Sequence, residues 1–321
     1  MIVVGVDENG LGPLLGPLVT TAVSVEVARY SPTRHGAIGR ELGIDDSKAT
    51  SGFGQMALAE GLALALVEQL GMALPSEIDA LLELLLLDAP SSLRRPCPAG
   101  ALAQCWSAAI ALPCFGGDVQ VGRETLRSLA RRGVRFVRAR SAIACTGTLN
   151  ERLRRGQSRV EVDLELMERL VLDARGASGA DDVRAICGMV GGIRNYPAKM
   201  RHFPPRRVTP VRALAGTLAY DVADVGHVRF EIDADARHLP VALASMVGKY
   251  VRELFMERQN RFYREHDPTL RDVSGYHDPV TQAFVLASAP LRLSLGIDDA
   301  CFARKSARNL QDEASPQLSL L

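Results

Sequence analysis

Lysine is scarce in this chain of 321 residues: it supplies four of the 38 basic residues, and the others are arginine. The lysines are Lys48, Lys199, Lys249 and Lys305. A compact ammonium and a planar guanidinium suit different ligands, so each remaining lysine indicates a site that selects the ammonium, chance placement being the alternative. The net charge is only +1. Any nucleic-acid binding must therefore use a local basic surface.

Long hydrophobic runs and paired cysteines are also absent. No apolar run reaches the roughly 18 residues that a membrane-spanning helix requires, and Met1 leads directly into a strand candidate rather than a signal peptide. The six cysteines form no C-x-x-C pair, so the spacing of a thiolate zinc site is missing. We therefore expect reduced, mostly buried thiols and a cytoplasmic protein.

Hydrophobic residues make up 47% of the chain, which is enough for a substantial core. Residues 2–6 are continuously apolar, and residues 19–27 alternate between apolar and polar, which predicts a second strand buried on one face. About ten residues separate the two strands, too few for the crossover that parallel neighbours need. The strands are therefore predicted to pair antiparallel, and a dinucleotide-binding start is disfavoured.

Periodicity predicts further elements. Residues 52–70 and 160–171 have helical spacing, and strand candidates lie at residues 134–138, 183–187, 211–220 and 228–232. After Pro240, an apolar stripe with helical spacing continues to Phe255, and Lys249, Arg252 and Glu253 lie off this stripe. Residues 72–122 are predicted to form a helical insertion.

Asp7 and Glu8 end the first predicted strand, before a loop that contains Gly10, Gly12 and Gly16. Adjacent carboxylates in a regular strand point to opposite faces, so both can serve one site only if the strand breaks here. Carboxylate oxygens suit Mg²⁺ or Mn²⁺, and glycine N–H groups can approach a phosphate or a ribose. The alternative is a solvated strand end with an ordinary turn. The spacing fits neither a dinucleotide-binding loop nor a P-loop.

The segment G-V-D-E-N-G-L-G-P-L-L-G-P-L-V at residues 5–19 resembles the opening signature of the ribonuclease HII family, where Asp-Glu precedes a G-R-G-P loop. Four shorter segments follow in the family's order. They are D-S-K at residues 46–48, G-T-L-N-E at 147–151, A-D-A with P-V, A-S and a lysine within 234–249, and S-G-Y with D-P within 274–279. Five motifs in order make the resemblance specific.

The resemblance implies an α/β, ribonuclease H-like fold, with a central mixed sheet whose first strands are antiparallel and flanked by helices. It implies such a domain over residues 1–290, with the insertion at about 72–122 and a C-terminal extension at 291–321. The implied activity is metal-dependent cleavage of RNA in RNA–DNA hybrids, or at ribonucleotides embedded in DNA, leaving a 5′ phosphate and a 3′ hydroxyl. In such enzymes four carboxylates hold two divalent cations, Mg²⁺ or Mn²⁺.

The family's site residues map onto specific positions of this sequence. Asp7, Glu8 and Asp235 match three of the four catalytic, metal-binding carboxylates. The matching substrate-binding positions, which include those that read the ribose 2′-OH, are Gly10, Leu11, Gly12, Ser47, Lys48, Lys249 and Tyr276.

Two positions depart from the family pattern. Gly188 stands where the fourth carboxylate is expected, unless the alignment shifts by one residue and places Cys187 there. Asp233 is a further possible metal ligand, because it would share a face with Asp235 if that stretch were extended. Leu11 replaces the arginine of G-R-G. The alternatives are a catalytically impaired hybrid-binding protein with the same fold and, less favoured, small-molecule phosphate chemistry at the glycine loop.

Overall fold

The computed structural model describes residues 1–44, 56–95, 97, 103–179, 183–193, 195–212 and 214–306. Within these residues the centre is a seven-stranded sheet with the strand order β3-β2-β1-β4-β7-β6-β5. The strands are β1 (Ile2–Asn9), β2 (Leu18–Val27), β3 (Val134–Ala144), β4 (Val183–Gly188), β5 (Val208–Val211), β6 (Thr217–Val222) and β7 (Gly226–Glu231).

The strand directions confirm the predicted fold class. β1 pairs antiparallel with β2, and β2 pairs antiparallel with β3. On its other edge β1 pairs parallel with β4, which pairs parallel with β7. This is a mixed sheet whose first strands are antiparallel, as a ribonuclease H-like fold requires. The short connection between β1 and β2 permits no other direction.

Helices cover both faces of the sheet. The described helices are α1 (Pro32–Glu41), α2 (Ala57–Gln69), α3 (Ile78–Leu85), α4 (Pro90–Arg94), α5 (Val119–Arg131), α6 (Thr146–Arg154), α7 (Arg159–Ser178), α8 (Ala234–Arg237), α9 (Leu239–His266), α10 (Pro279–Ala287), α11 (Ala289–Ser294) and α12 (Asp299–Phe302). α9 and α2 contribute to the core on one face of β1 and β2, and α7 contributes to the core on the other. In the described part of the chain, no helix is both long and apolar enough to cross a membrane.

Two local predictions were wrong. β2 is buried on both faces, because α7 covers the side that its polar residues occupy. The candidate at residues 211–220 divides into β5 and β6, and Gly216, with a φ of +78°, precedes β6. The helix predicted after Pro240 is confirmed and runs from Leu239 to His266. Arg252 and Glu253, which lie off its apolar stripe, are also buried.

The predicted insertion contains helices α3 and α4, whereas residues 103–118 have neither helix nor strand beyond isolated bridges. The boundaries of the insertion, at about residues 72 and 122, stay a prediction. All six cysteines are free, but Cys187 alone is fully buried, so the expectation of mostly buried thiols was wrong. The other five are partly exposed. Four of them line one small apolar cavity between the insertion, α6 and α12: Cys97, Cys105, Cys145 and Cys301.

Candidate active site

An open cavity of about 590 Å³ lies where β1, β4 and β7 end. Because these strands are parallel to one another, their carboxyl ends meet at the same edge of the sheet. The cavity brings together most of the residues selected from the sequence: Asp7, Glu8, Gly10, Leu11, Gly12, Gly188, Asp233, Asp235, Lys249 and Tyr276. Ser47 and Lys48 lie outside the described residues.

Asp7 and Glu8 reach this cavity without the predicted break in the strand. β1 stays paired with β2 as far as Asn9, opposite Val19, so the two carboxylates leave opposite faces of a regular strand. Asp7 points towards α9, where the side chain of Ser245 hydrogen-bonds to it. Both line the cavity because they stand at the carboxyl end of β1, beside the ends of β4 and β7.

The cavity concentrates negative charge around Asp7. Burial is the largest cause that raises the pKa of Asp7 well above its usual range, and the charge of Glu8 is the next. Asp235 also raises this pKa, whereas the hydrogen bond from Ser245 opposes the shift. Carboxylates that repel one another in this way are stabilised by a bound cation or by protonation.

Gly188 places no side chain beside Asp7, and the Asp7 carboxylate occupies the adjacent space. Val6 is in register with Cys187, so Gly188 follows beside Asp7 on the neighbouring strand. A Cβ atom at Gly188 would lie 2.7 Å from Asp7 Oδ1 and 3.8 Å from Glu8 Oε2. Cys187 packs with Val6 in the core under α7, on the other face. A one-residue shift that would put Cys187 at this position is therefore excluded.

The carboxylate in register with Gly188 on the next strand is Glu231, which already interacts with His238 and Arg229. His238 Nε2 lies 2.9 Å from Glu231 Oε2, and Arg229 forms an ion pair with the same side chain. Burial lowers the pKa of His238, although the hydrogen bond to Glu231 opposes the shift. His238 is buried between Glu231 and Tyr30.

Asp233 and Asp235 do not have the backbone that would place them on one face. Asp233 is in the left-handed region, with a φ of +51°, and Asp235 lies in the short helix α8. The extended geometry considered for this stretch was therefore wrong, because the chain turns sharply after β7. Asp233 is exposed at the rim and Asp235 is partly buried, and both line the cavity.

Asp163 is an acidic residue near the site that the sequence reasoning missed. It lies on α7 and is fully buried, and its Oδ1 accepts a 2.9 Å hydrogen bond from Thr20 Oγ1. Its Oδ2 has no hydrogen-bond partner among the described residues. Thr20 is the cross-strand partner of Glu8. Burial, and then the charge of Glu8, raises the pKa of Asp163 well above its usual range.

The first part of the glycine loop (residues 10–16) forms one wall of the cavity together with Tyr276: Gly10, Leu11 and Gly12 line it. Gly10 and Gly16 have φ values of +87° and +81°, which favour glycine. A Cβ atom at Gly10 would lie 2.7 Å from Nε of the buried Arg252. The Arg252 guanidinium lies 4.9 Å from the ring centre of Tyr276, and Tyr276 is 48% exposed. Arg252 thus packs against both the glycine loop and the accessible ring of Tyr276.

The donors that face the cavity suit a hard cation. Asp7, Glu8 and Asp235 offer only oxygen, which Mg²⁺ and Mn²⁺ prefer. Within the described ranges, no three acidic, histidine or cysteine side chains are arranged to hold a metal ion as they stand. The donor set thus fits such an ion in its chemistry, and binding would require these side chains to draw together.

No protein-family model matches the chain. Among solved structures, it is similar to the ribonuclease HII of a PCNA complex from Archaeoglobus fulgidus, with 18% identity, 94% of this chain and 93% of the other covered, and a TM-score of 0.44. Ribonuclease H2 from Pyrococcus horikoshii is 15% identical over 99% of this chain and 100% of the other, with a TM-score of 0.44. Bst-RNase HIII in complex with Mn²⁺ is 14% identical, with 99% of this chain and 71% of the other covered and a TM-score of 0.48.

Proposed function

We propose that the protein is a metal-dependent endoribonuclease that cleaves RNA in RNA–DNA hybrids or at ribonucleotides embedded in DNA. One observation carries the proposal: Asp7, Glu8 and Asp235 line a single open cavity together with the glycine loop and Tyr276. The cavity thus combines groups suited to metal binding and to ribose recognition at the edge of a ribonuclease H-like sheet. The products would be a 5′ phosphate and a 3′ hydroxyl.

In this proposal Asp7, Glu8 and Asp235 hold two divalent cations, Mg²⁺ or Mn²⁺, and Asp233 is a further candidate ligand at the rim. When bound, such ions activate a water molecule and neutralise charge on the phosphate. The N–H groups of the glycine loop approach the ribose, and the exposed ring of Tyr276 packs on the neighbouring sugar. Lys249 supplies a compact positive charge for a backbone phosphate.

The experiment is a cleavage assay on a labelled DNA duplex with one ribonucleotide, on an RNA–DNA hybrid and on a duplex of DNA alone. We expect cleavage of the first two in Mg²⁺ or Mn²⁺, and none of the third. Asp7→Asn, which keeps the size of the side chain, should reduce cleavage at least about a hundredfold, since the removed charge acts directly on the ions. A wild-type protein that cleaves neither ribose-containing duplex contradicts the proposal.

A hybrid-binding protein without catalysis is the second candidate, and Gly188 favours it. Without a carboxylate beside Asp7, the site has one anionic ligand fewer for Mg²⁺, which relies on few direct carboxylates. Selective binding of the hybrid with no cleavage in either ion would support this candidate. Cleavage that Asp7→Asn abolishes would exclude it.

A further inference from the structure

The glycine loop is held from below by Arg304, a residue from near the other end of the described chain. Arg304 is 4% exposed. Its Nε and Nη2 atoms donate to the carbonyl oxygen of Gly16 at 2.9 and 2.7 Å. Its Nη1 atom donates to the carbonyl oxygens of Gly10 at 2.5 Å and of Leu11 at 3.3 Å. All three guanidinium nitrogens thus contact the loop.

The backbone around Arg304 is attached to the same loop. The Arg304 N–H donates to the carbonyl oxygen of Leu14 at 2.9 Å, and Ala303 forms an isolated antiparallel bridge with Leu15. The N–H groups of Leu14 and Leu15 both donate to the carbonyl oxygen of Gly275, next to Tyr276. The loop is therefore fixed between Arg304 and the Tyr276 segment.

The charge of Arg304 is balanced by carbonyl groups rather than by an acid. Among the described residues, its guanidinium hydrogen-bonds to the backbone carbonyl oxygens of Gly10, Leu11 and Gly16. Burial, and then the charge of Arg252, lowers the pKa of Arg304 to about 9, so the side chain stays charged at neutral pH. Burying a cation is costly, and arginine is the one side chain whose rigid fork supplies enough donors for several carbonyl groups at once.

These hydrogen bonds also orient the donors of the loop. In a trans peptide the carbonyl oxygen of one residue and the N–H of the next point in opposite directions. Since the carbonyl oxygens of Gly10 and Leu11 point to Arg304, the N–H groups of Leu11 and Gly12 point away from it. Leu11 and Gly12 line the cavity, and Arg304 does not.

We infer that Arg304 is a positioning residue for ribose recognition: it holds the carbonyl groups of the glycine loop inward and so keeps the opposite N–H groups available to a 2′-OH. This inference rests on the proposed function. Leu11 removes the guanidinium that the family pattern places within the loop, and Arg304 supplies one from beneath it, through the backbone. Arg304 touches no substrate in this arrangement.

The experiment compares Arg304→Lys with Arg292→Lys. Arg292 is also buried near the C-terminal end of the described chain, where it donates to Ser288 and to the carbonyl oxygen of Val285. Dissociation constants are measured in EDTA, at one salt concentration, for a DNA duplex with one ribonucleotide and for the same duplex in DNA alone. Amide hydrogen exchange of residues 10–16 is measured in parallel.

We expect Arg304→Lys to lower the preference for the ribonucleotide about tenfold, since hydrogen bonds from a charged donor are lost and tenfold corresponds to about 1.4 kcal/mol. Affinity for the duplex of DNA alone should stay unchanged, and exchange in residues 10–16 should accelerate. Arg292→Lys should keep the wild-type preference. An unchanged preference in Arg304→Lys overturns the inference, as does loss of folding in both Arg304→Lys and Arg304→Gln. A wild-type protein with no preference refutes the proposed function instead.

Discussion

The missing side chain at Gly188 determines how much negative charge faces Asp7. A Cβ atom there would lie 2.7 Å from the end of the Asp7 side chain, so a carboxylate at this position would stand beside both Asp7 and Glu8. In the absence of metal, this added charge would be repelled by the existing acidic groups. With a divalent ion bound, the same charge would become a ligand.

We predict that Gly188→Asp lowers the melting temperature of the metal-free protein and raises its affinity for Mn²⁺ at least about tenfold, or about 1.4 kcal/mol. Gly188→Asn is the matched control, since it imposes the same steric displacement of Asp7 without the charge. Mn²⁺ titration by calorimetry measures the affinity, and thermal unfolding measures the stability. Equal Mn²⁺ affinities for the two variants would show that position 188 does not contribute to an ion site.

At the scale of elements, a buried glutamate attaches the insertion to the core. Glu60 on α2 is fully buried, and its carboxylate accepts the N–H groups of Cys114, Phe115 and Gly117, each at 2.8 Å. Tyr250 on α9 donates its hydroxyl to Glu60 Oε1 at 3.2 Å. The segment without regular secondary structure is thereby joined to the helix that also carries Ser245 and Lys249.

Glu60→Gln is expected to destabilise the protein by about 3 kcal/mol, because the amide nitrogen cannot accept and leaves buried N–H groups unsatisfied. Glu124→Gln on α5 is the control, since Glu124 is exposed and such surface changes usually stay within about 0.5 kcal/mol. Urea unfolding of both variants measures the difference. A loss below about 1 kcal/mol for Glu60→Gln would contradict the structural role of this carboxylate.

The same buried polar contacts explain how far the sequence could predict these elements. Spacing located β1, β2 and the start of α9, because apolar periodicity reports burial directly. Spacing underestimated how much of α9 is buried, because its polar residues Arg252 and Arg258 are buried against other parts of the chain. Asp163 was missed for the same reason: a carboxylate on an amphipathic helix resembles a solvated one until the tertiary structure shows what covers it.

For the whole molecule, Asp7 and Asp163 link stability to pH. The pKa of each is raised in the folded protein, chiefly by burial, whereas the unfolded value is about 3.9. A raised pKa means that the folded state binds protons more tightly than the unfolded chain. The stability from these groups is therefore fully present below about pH 4 and is lost as the pH rises through the raised values.

We predict that Asp163→Asn stabilises the metal-free protein, and that the gain in unfolding free energy over wild type increases from about pH 4 upwards. Asparagine keeps an oxygen for Thr20 and replaces the unpaired Oδ2 by a neutral group, which costs less to bury than a charge. The comparison with wild type cancels the contributions of groups that titrate alike in both proteins. One such group is the buried His238, whose lowered pKa affects stability only below about pH 6.5.

The measurement is urea unfolding of both proteins in EDTA from pH 5 to 8, repeated with saturating Mn²⁺. Mn²⁺ should stabilise wild type more at pH 8 than at pH 5, because ions bind the deprotonated carboxylates. A constant difference between Asp163→Asn and wild type across this range in EDTA would mean that Asp163 does not titrate within it. If Mn²⁺ stabilised neither protein at any pH, the carboxylates at the ends of the strands would not form an ion site.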